Sequence, residues 1–252
     1  MARLQPLVVP ALRSLWLGGG ALRSLVRSKV LPFGLGGRCN FAASAAQPLV
    51  SAAQVNAGLL AGAVAGRMRL GDPCAVDAIG PEACYKAVKS IMLASDYIQD
   101  SHPGMQIAFE LQRVKAPARG SNPETVKVRF HTALVQKLPV PDRPDVVTAK
   151  DTNPGLAAAE LTRLLMQKGQ TGIAVVGGMG PYAMHMSLKT VQMASRYMQK
   201  HMKENETLLA VACSQAVPAK DGDGEEKMRY VLSCMRGPAA NPDPRPEGED
   251  VV

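Results

Sequence analysis

One segment of this 252-residue chain is written twice, 100 residues apart. Gly80-Pro81, Ala83, Lys89, Ala94-Ser95 and Tyr97 recur as Gly180-Pro181, Ala183, Lys189, Ala194-Ser195 and Tyr197. A period this long is not that of a solenoid, whose units run to a few tens of residues. It is the signature of a duplicated domain. Whatever fold the first copy takes, the second must be able to take it too, in the same order of elements.

Hydrophobic spacing supplies that order. Cys84, Ala87, Val88, Ile91, Ala94 and Ile98 fall on one helical face, and Met184, Leu188, Val191, Ala194 and Met198 repeat it. Each helix follows a short apolar run (75–79 and 173–176) and a glycine, with proline in the first turn, where its missing N–H costs nothing. Upstream lie a first strand at 48–51 and a helix at 57–70 capped by Asn56; the second copy has a strand at 146–148 and a helix to Lys168 opened by Asn153-Pro154. Downstream, 105–114 and 125–134 alternate as a hairpin, as do 207–217 and 227–236. The expectation is an α+β chain of two tandem β-α-β-α-β-β domains, residues 46–135 and 146–237. A linker at 136–145 carries Pro139, Pro141 and Pro144 and is expected to lie outside both cores. The two copies are expected to pack as an intramolecular pseudo-dimer or to support a homo-oligomer.

The ends read differently. No acid precedes Asp72, while Arg3, Arg13, Arg23, Arg27, Lys29 and Arg38 lie in the first 45 residues, the composition of an organelle presequence. Residues 1–45 are therefore expected to direct the chain to the mitochondrial matrix, with a plastid as runner-up, and no membrane association is expected. An ordered basic arm is the competing reading. The formal charge of +8 rests largely on this segment, since removing its six cations leaves 23 basic against 21 acidic residues. Residues 238–252, proline-rich and acidic, are expected to be disordered. Cysteines at 39, 74, 84, 213 and 234 form no Cys-x-x-Cys, and the histidines show no ligand spacing, so neither metal nor cofactor is expected. No catalytic arrangement emerges from the order of residues.

Ala78-Ile79-Gly80, Ala83 and Lys86-Ala87-Val88-Lys89-Ser90-Ile91 resemble the core motif of the SpoVS family, small bacterial proteins of late sporulation. Val147-Thr148-Ala149-Lys150, followed by Asn153-Pro154 and an alanine-rich helix, resembles that family's first strand and loop. The resemblance spans about 48–134 and 146–237. It implies an Alba-like fold and nucleic-acid binding, through a first-loop lysine, the start of the second helix and the final hairpin. Carried over by position, these are Lys150 (with Ala53 in the first copy) and the hairpin residues Arg113, Lys115 and Arg119. The second hairpin loop sets Asp221, Asp223, Glu225 and Glu226 against Lys220 and Lys227 and is expected to repel phosphate. Either each copy supplies half of a binding surface, or one has become a platform.

Several other residues bear on binding. Lys86 and Lys89, and Lys189 and Arg196, are placed to track a phosphate backbone, although a solvated helix face explains them equally. With aromatic residues at 4% of the chain, Tyr85, Tyr182 and Phe130 are the few candidates for base stacking. Gly178-Met179-Gly180-Pro181-Tyr182-Ala183 fits a dinucleotide fingerprint, but no acid ends the next strand as that site requires. Helical spacing assigns Met184 and Met198 to core filling. The function expected is binding of RNA, in preference to DNA, through backbone contacts within an organellar ribonucleoprotein. The alternative is a non-catalytic structural subunit of a large organellar complex such as the mitochondrial ribosome.

Overall fold

The computed structural model describes residues 47–72, 74–116, 125–169, 172–218 and 226–240. The first copy runs β1 (Leu49–Ser51), α1 (Ala57–Leu70), β2 (Cys74–Ala78), α2 (Pro81–Tyr97), β3 (Met105–Ala116) and β4 (Thr125–Gln136). The second repeats it as β5 (Val146–Thr148), α3 (Pro154–Gln167), β6 (Ala174–Gly178), α4 (Gly180–Met198), β7 (Glu206–Pro218) and β8 (Glu226–Pro238). The fold is α+β with four helices and a mixed sheet. β3 runs two residues further toward its loop than the alternation implied, so Lys115 is a strand residue.

Local chemistry accounts for the repeated starts. Asn56 and Asn153 accept hydrogen bonds from the amides two and three residues on, closing the orphan donors of α1 and α3. A Cβ on Gly58 or Gly155 would stand 3.3 Å from the capping oxygen of Asn56 or Asn153, and in ordinary contact with the hydroxyl of the recurring Tyr97 or Tyr197. Gly80 and Gly180 take φ of +84° and +79°, turning the chain from strand into helix through a backbone conformation that other residues rarely adopt.

The eight strands form one sheet in the order β1-β2-β4-β3-β7-β8-β6-β5. β1–β2 and β5–β6 are parallel pairs and the rest antiparallel. The copies meet at the centre, where Ala108 pairs with Val211 and Phe109 with Ala210. Phe109 stands opposite Thr132 and Ala210 opposite Cys234, so the two are counterparts, and a local two-fold axis passes between them. The helices pack as α1 on α2, α3 on α4 and α2 on α4. Alternate strand residues Val76, Ile107, Phe109, Phe130, Leu208 and Leu232 share one core with them. Phe109 and Phe130 meet edge-to-face at 5.2 Å, an arrangement that contributes about 0.5–1.5 kcal/mol beyond burial.

The opposite face of the sheet shows how the linker and the start of the tail are held. The segment 137–145 has no buried residue but is fastened to the sheet: half-buried Leu138 packs on Ala108, Leu209 and Val211, and Asp145 bonds Val175 through both its amide and its carboxylate. The apolar residues on that face of β7 need cover, and the linker provides it. The start of the tail is held as well, since Ala239 donates to the Asn205 carbonyl and Ala240 to Glu110. Residues 241–252 lie outside the described residues.

Candidate nucleic-acid interface

The start of α4 borders a cleft of about 450 Å³ between the β5–α3 loop, the β6–α4 turn and β8. Its walls include Val147, Lys150, Met179, Tyr182 and Arg229. The loop is set by Thr152, whose hydroxyl accepts from the Ala149 amide at 2.7 Å, leaving Lys150 exposed. Thr148 donates to the Ala183 carbonyl at 3.0 Å, tying the edge strand to the first turn of α4. A Cβ on Gly178 would stand 2.7 Å from that threonine oxygen and 2.9 Å from Ala183. The glycines of the apparent dinucleotide fingerprint thus have local causes: close strand–helix packing at Gly178 and a left-handed turn at Gly180.

Two cations and one aromatic ring face this cleft. Arg229 donates twice to Gln215 Oε1, at 2.8 and 3.2 Å, and Gln215 in turn donates to the Pro141 carbonyl. Gln215 is neutral, so it orients the guanidinium without cancelling its charge. Tyr182 is 58% exposed beside exposed Val147 and Met179. No acid occupies the first turn of α4, which leaves the positive end of the helix to add to the field. Asp151, exposed next to Lys150, is the neighbouring counter-charge.

The same place in the first copy is built differently. Ser51 donates to the Ala83 carbonyl at 2.8 Å, as Thr148 does to Ala183, and the smaller hydroxyl accompanies Ala78 where the second copy has Gly178. Ala53 stands for Lys150 and Glu82 for Tyr182. Register makes Lys127 the counterpart of Arg229, and Asp77 that of Gly177. Asp77, only 8% exposed, binds Lys127 Nζ at 2.9 Å and Arg129 Nε and Nη2 at 2.8 and 3.2 Å. Burial alone would raise the Asp77 carboxyl, but the hydrogen bonds from Arg129 and Lys127 outweigh it and hold its pKa below the ordinary value.

Of the cations named from sequence, Lys150 alone lines the cleft, and of the stacking candidates Tyr182 does. Lys86 and Lys89 are half-buried on α2, whereas Lys189 and Arg196 are exposed on α4. Lys189 lies close enough to Cys84 of α2 to act on its thiol, so it belongs to the α2–α4 seam. Arg113 and Lys115 are half-buried on β3 opposite Val128 and Val126, on the other face of the hairpin from Lys127 and Arg129. Arg119 and the acidic loop 219–225 lie outside the described residues. Two stacking candidates are excluded: Phe130 is fully buried, and Tyr85 is taken by Tyr230, edge-on at 5.2 Å. Burial, and then the nearby Lys189, lower the His185 pKa below its ordinary value. Burial pushes the Cys84 and Cys234 thiols up to about 12 and Cys213 to about 11.

Arg229, Asp77, Lys127 and Arg129 were not singled out from sequence. A signal existed: Asp77 is the one acid in an apolar strand, and Lys127, Arg129 and His131 alternate on one face of theirs. Among the described residues no group of three or more His, Cys, Asp or Glu could hold a metal, and no helix is long and apolar enough to cross a membrane. The model of the family described as Stage V sporulation protein S (SpoVS) matches residues 49–131, the first copy. The second is linked to it by the repeated residues and the repeated order of elements. No curated protein matches the chain.

Proposed function

Residues 49–131 belong to the SpoVS family, and from that membership and the second-copy cleft we propose that this chain binds nucleic acid. The reading favours RNA over DNA, in an organellar ribonucleoprotein reached through the arginine-rich, acid-free N-terminus. The observation that carries it is the grouping of Lys150, Arg229 and exposed Tyr182 around one cleft large enough for a nucleotide. Cations 150 and 229 suit backbone phosphates. The tyrosine ring offers a base one stacking surface, which in single-strand binders contributes about 1–3 kcal/mol. One ring cannot read a sequence, so recognition rests on backbone and on one unpaired base. The role proposed is binding, with no chemistry performed on the ligand.

Salt dependence tests this. Affinity of the chain from residue 47 for a labelled single-stranded RNA, measured by fluorescence anisotropy, should fall log-linearly with salt. Lys150→Ala and Arg229→Ala should each flatten the slope by roughly 0.7, the value for one lost single-strand phosphate contact. Tyr182→Ala should weaken binding about 5- to 150-fold without changing the slope. Unchanged slopes in both cation variants would refute the site. For the address, import into isolated mitochondria with removal of the N-terminal segment is the expected result; exclusion from the organelle would count against it.

A further inference from the structure

Resting on that reading, we infer that the duplicated chain carries one nucleic-acid cleft, in the second copy, and that Asp77 withdraws the cations of the first. Three differences at equivalent positions point the same way. The loop lysine at 150 is Ala53, the exposed ring of Tyr182 is the carboxylate Glu82, and the strand cation equivalent to Arg229 is Lys127, already paired with Asp77. The third is the decisive one. Asp77 takes both Lys127 and Arg129 at 2.8–2.9 Å, occupying them as a ligand's phosphate would. A phosphate arriving there must displace a carboxylate that is almost fully buried and held from two sides, whereas Arg229 is held by a neutral amide. Glu82 further sets a negative charge at the start of α2, where the helix field would otherwise attract an anion.

Arg113 and Lys115 do not restore a site there. Strand alternation sets them on the opposite face from Lys127 and Arg129, against Val128 and Val126. The asymmetry therefore lies in one position of the neighbouring strand, where Asp77, opposite Arg129, also reaches Lys127 and Gly177, opposite Val231, offers Arg229 no side chain; it does not follow from the number of basic residues in each copy.

The stoichiometry of a short probe decides the matter. Native mass spectrometry of the chain from residue 47 with hexauridylate should show one equivalent bound, and Arg229→Gln or Lys150→Ala should weaken it at least several-fold. Lys127→Gln should leave affinity within about twofold. Combining Ala53→Lys, Asp77→Gly and Glu82→Tyr should install a second equivalent. Should that triple variant not fold, Asp77→Asn in the Arg229→Gln background should recover at least threefold of the lost affinity. Two equivalents on the unaltered chain, or one that survives Arg229→Gln and is lost with Lys127→Gln, would overturn the single-cleft assignment while leaving nucleic-acid binding intact. No binding of hexauridylate or its DNA counterpart at low salt would sink both.

Discussion

Removing the Asp77 carboxylate should lower stability by a predictable amount and with a predictable pH dependence. Its side chain and those of Lys127 and Arg129 are 11–18% exposed, so the cluster is largely screened from water. Deleting one member of a fully buried ion pair costs about 3–5 kcal/mol, because the partner charge stays behind. With residual solvent access we expect about 2–4 kcal/mol for Asp77→Asn. In a domain of roughly 200 residues each kcal/mol moves the midpoint about 2–4 °C, so Tm should fall on the order of 5–15 °C. Because the folded carboxyl titrates below its unfolded value, its contribution is complete above about pH 4–5. It is lost as pH falls through the folded pKa. Thermal unfolding followed by circular dichroism should therefore show a constant gap between the two proteins from about pH 5 to 8, closing below about pH 4. Replacing the whole cluster, with Asp77→Val, Lys127→Met and Arg129→Val, should recover most of the loss, since no charge is left unpaired. A Tm for Asp77→Asn within about 1 °C of the parent, or a triple variant no better than the single one, would refute the argument.

Other expectations follow from the same geometry. Gly178→Ala should cost about 1–3 kcal/mol by overpacking Thr148 and Ala183, and adding Thr148→Ser should return part of it, as the Ser51–Ala78 pair of the first copy does; a double-mutant cycle without coupling would disprove the link. Leu138→Asp should uncover Leu209 and Val211 and destabilise by about 2–4 kcal/mol in urea titration. Ellman's reagent at pH 8 should label Cys84, Cys213 and Cys234 slowly in the folded protein and fully in guanidinium, because burial keeps all three protonated. Neutralising Asp221, Asp223 and Glu225 should raise RNA affinity at low salt and leave it unchanged at high salt.

The sequence made some parts of this protein legible and hid others. Recurrence of Gly80-Pro81 and Tyr97 at 100 residues' distance announced the repeated element order, and Asn56 and Asn153 marked two helix starts by local chemistry alone. Such features depend on neighbours a few residues away. Arg229 and Lys127 look alike in sequence. Their difference comes from the neighbouring strand: Asp77, set by register opposite Arg129, also reaches Lys127 from 50 positions away, whereas its counterpart Gly177 has no side chain to reach Arg229. Tyr85 and Tyr182 are likewise equal as rings until packing buries one against Tyr230 and leaves the other exposed. The linker's attachment was hidden for a related reason: three prolines describe a stiff connection, but not the apolar sheet face that Leu138 lies against.

The central seam has a consequence for assembly. Backbone pairing between the copies amounts to two residue pairs, Ala108 with Val211 and Phe109 with Ala210, disposed about a two-fold axis. Helices α2 and α4 close the same joint above it. Nothing in such a joint distinguishes a neighbour on the same chain from the matching copy on another. What favours the internal partner is the nine-residue tether 137–145, which keeps the second copy at a high effective concentration. The tether is itself fastened across the sheet by Leu138 and Asp145, so exchange of copies between chains requires peeling that strap first. Loosening the strap would therefore let the molecule trade halves with its neighbours while each half kept its own fold.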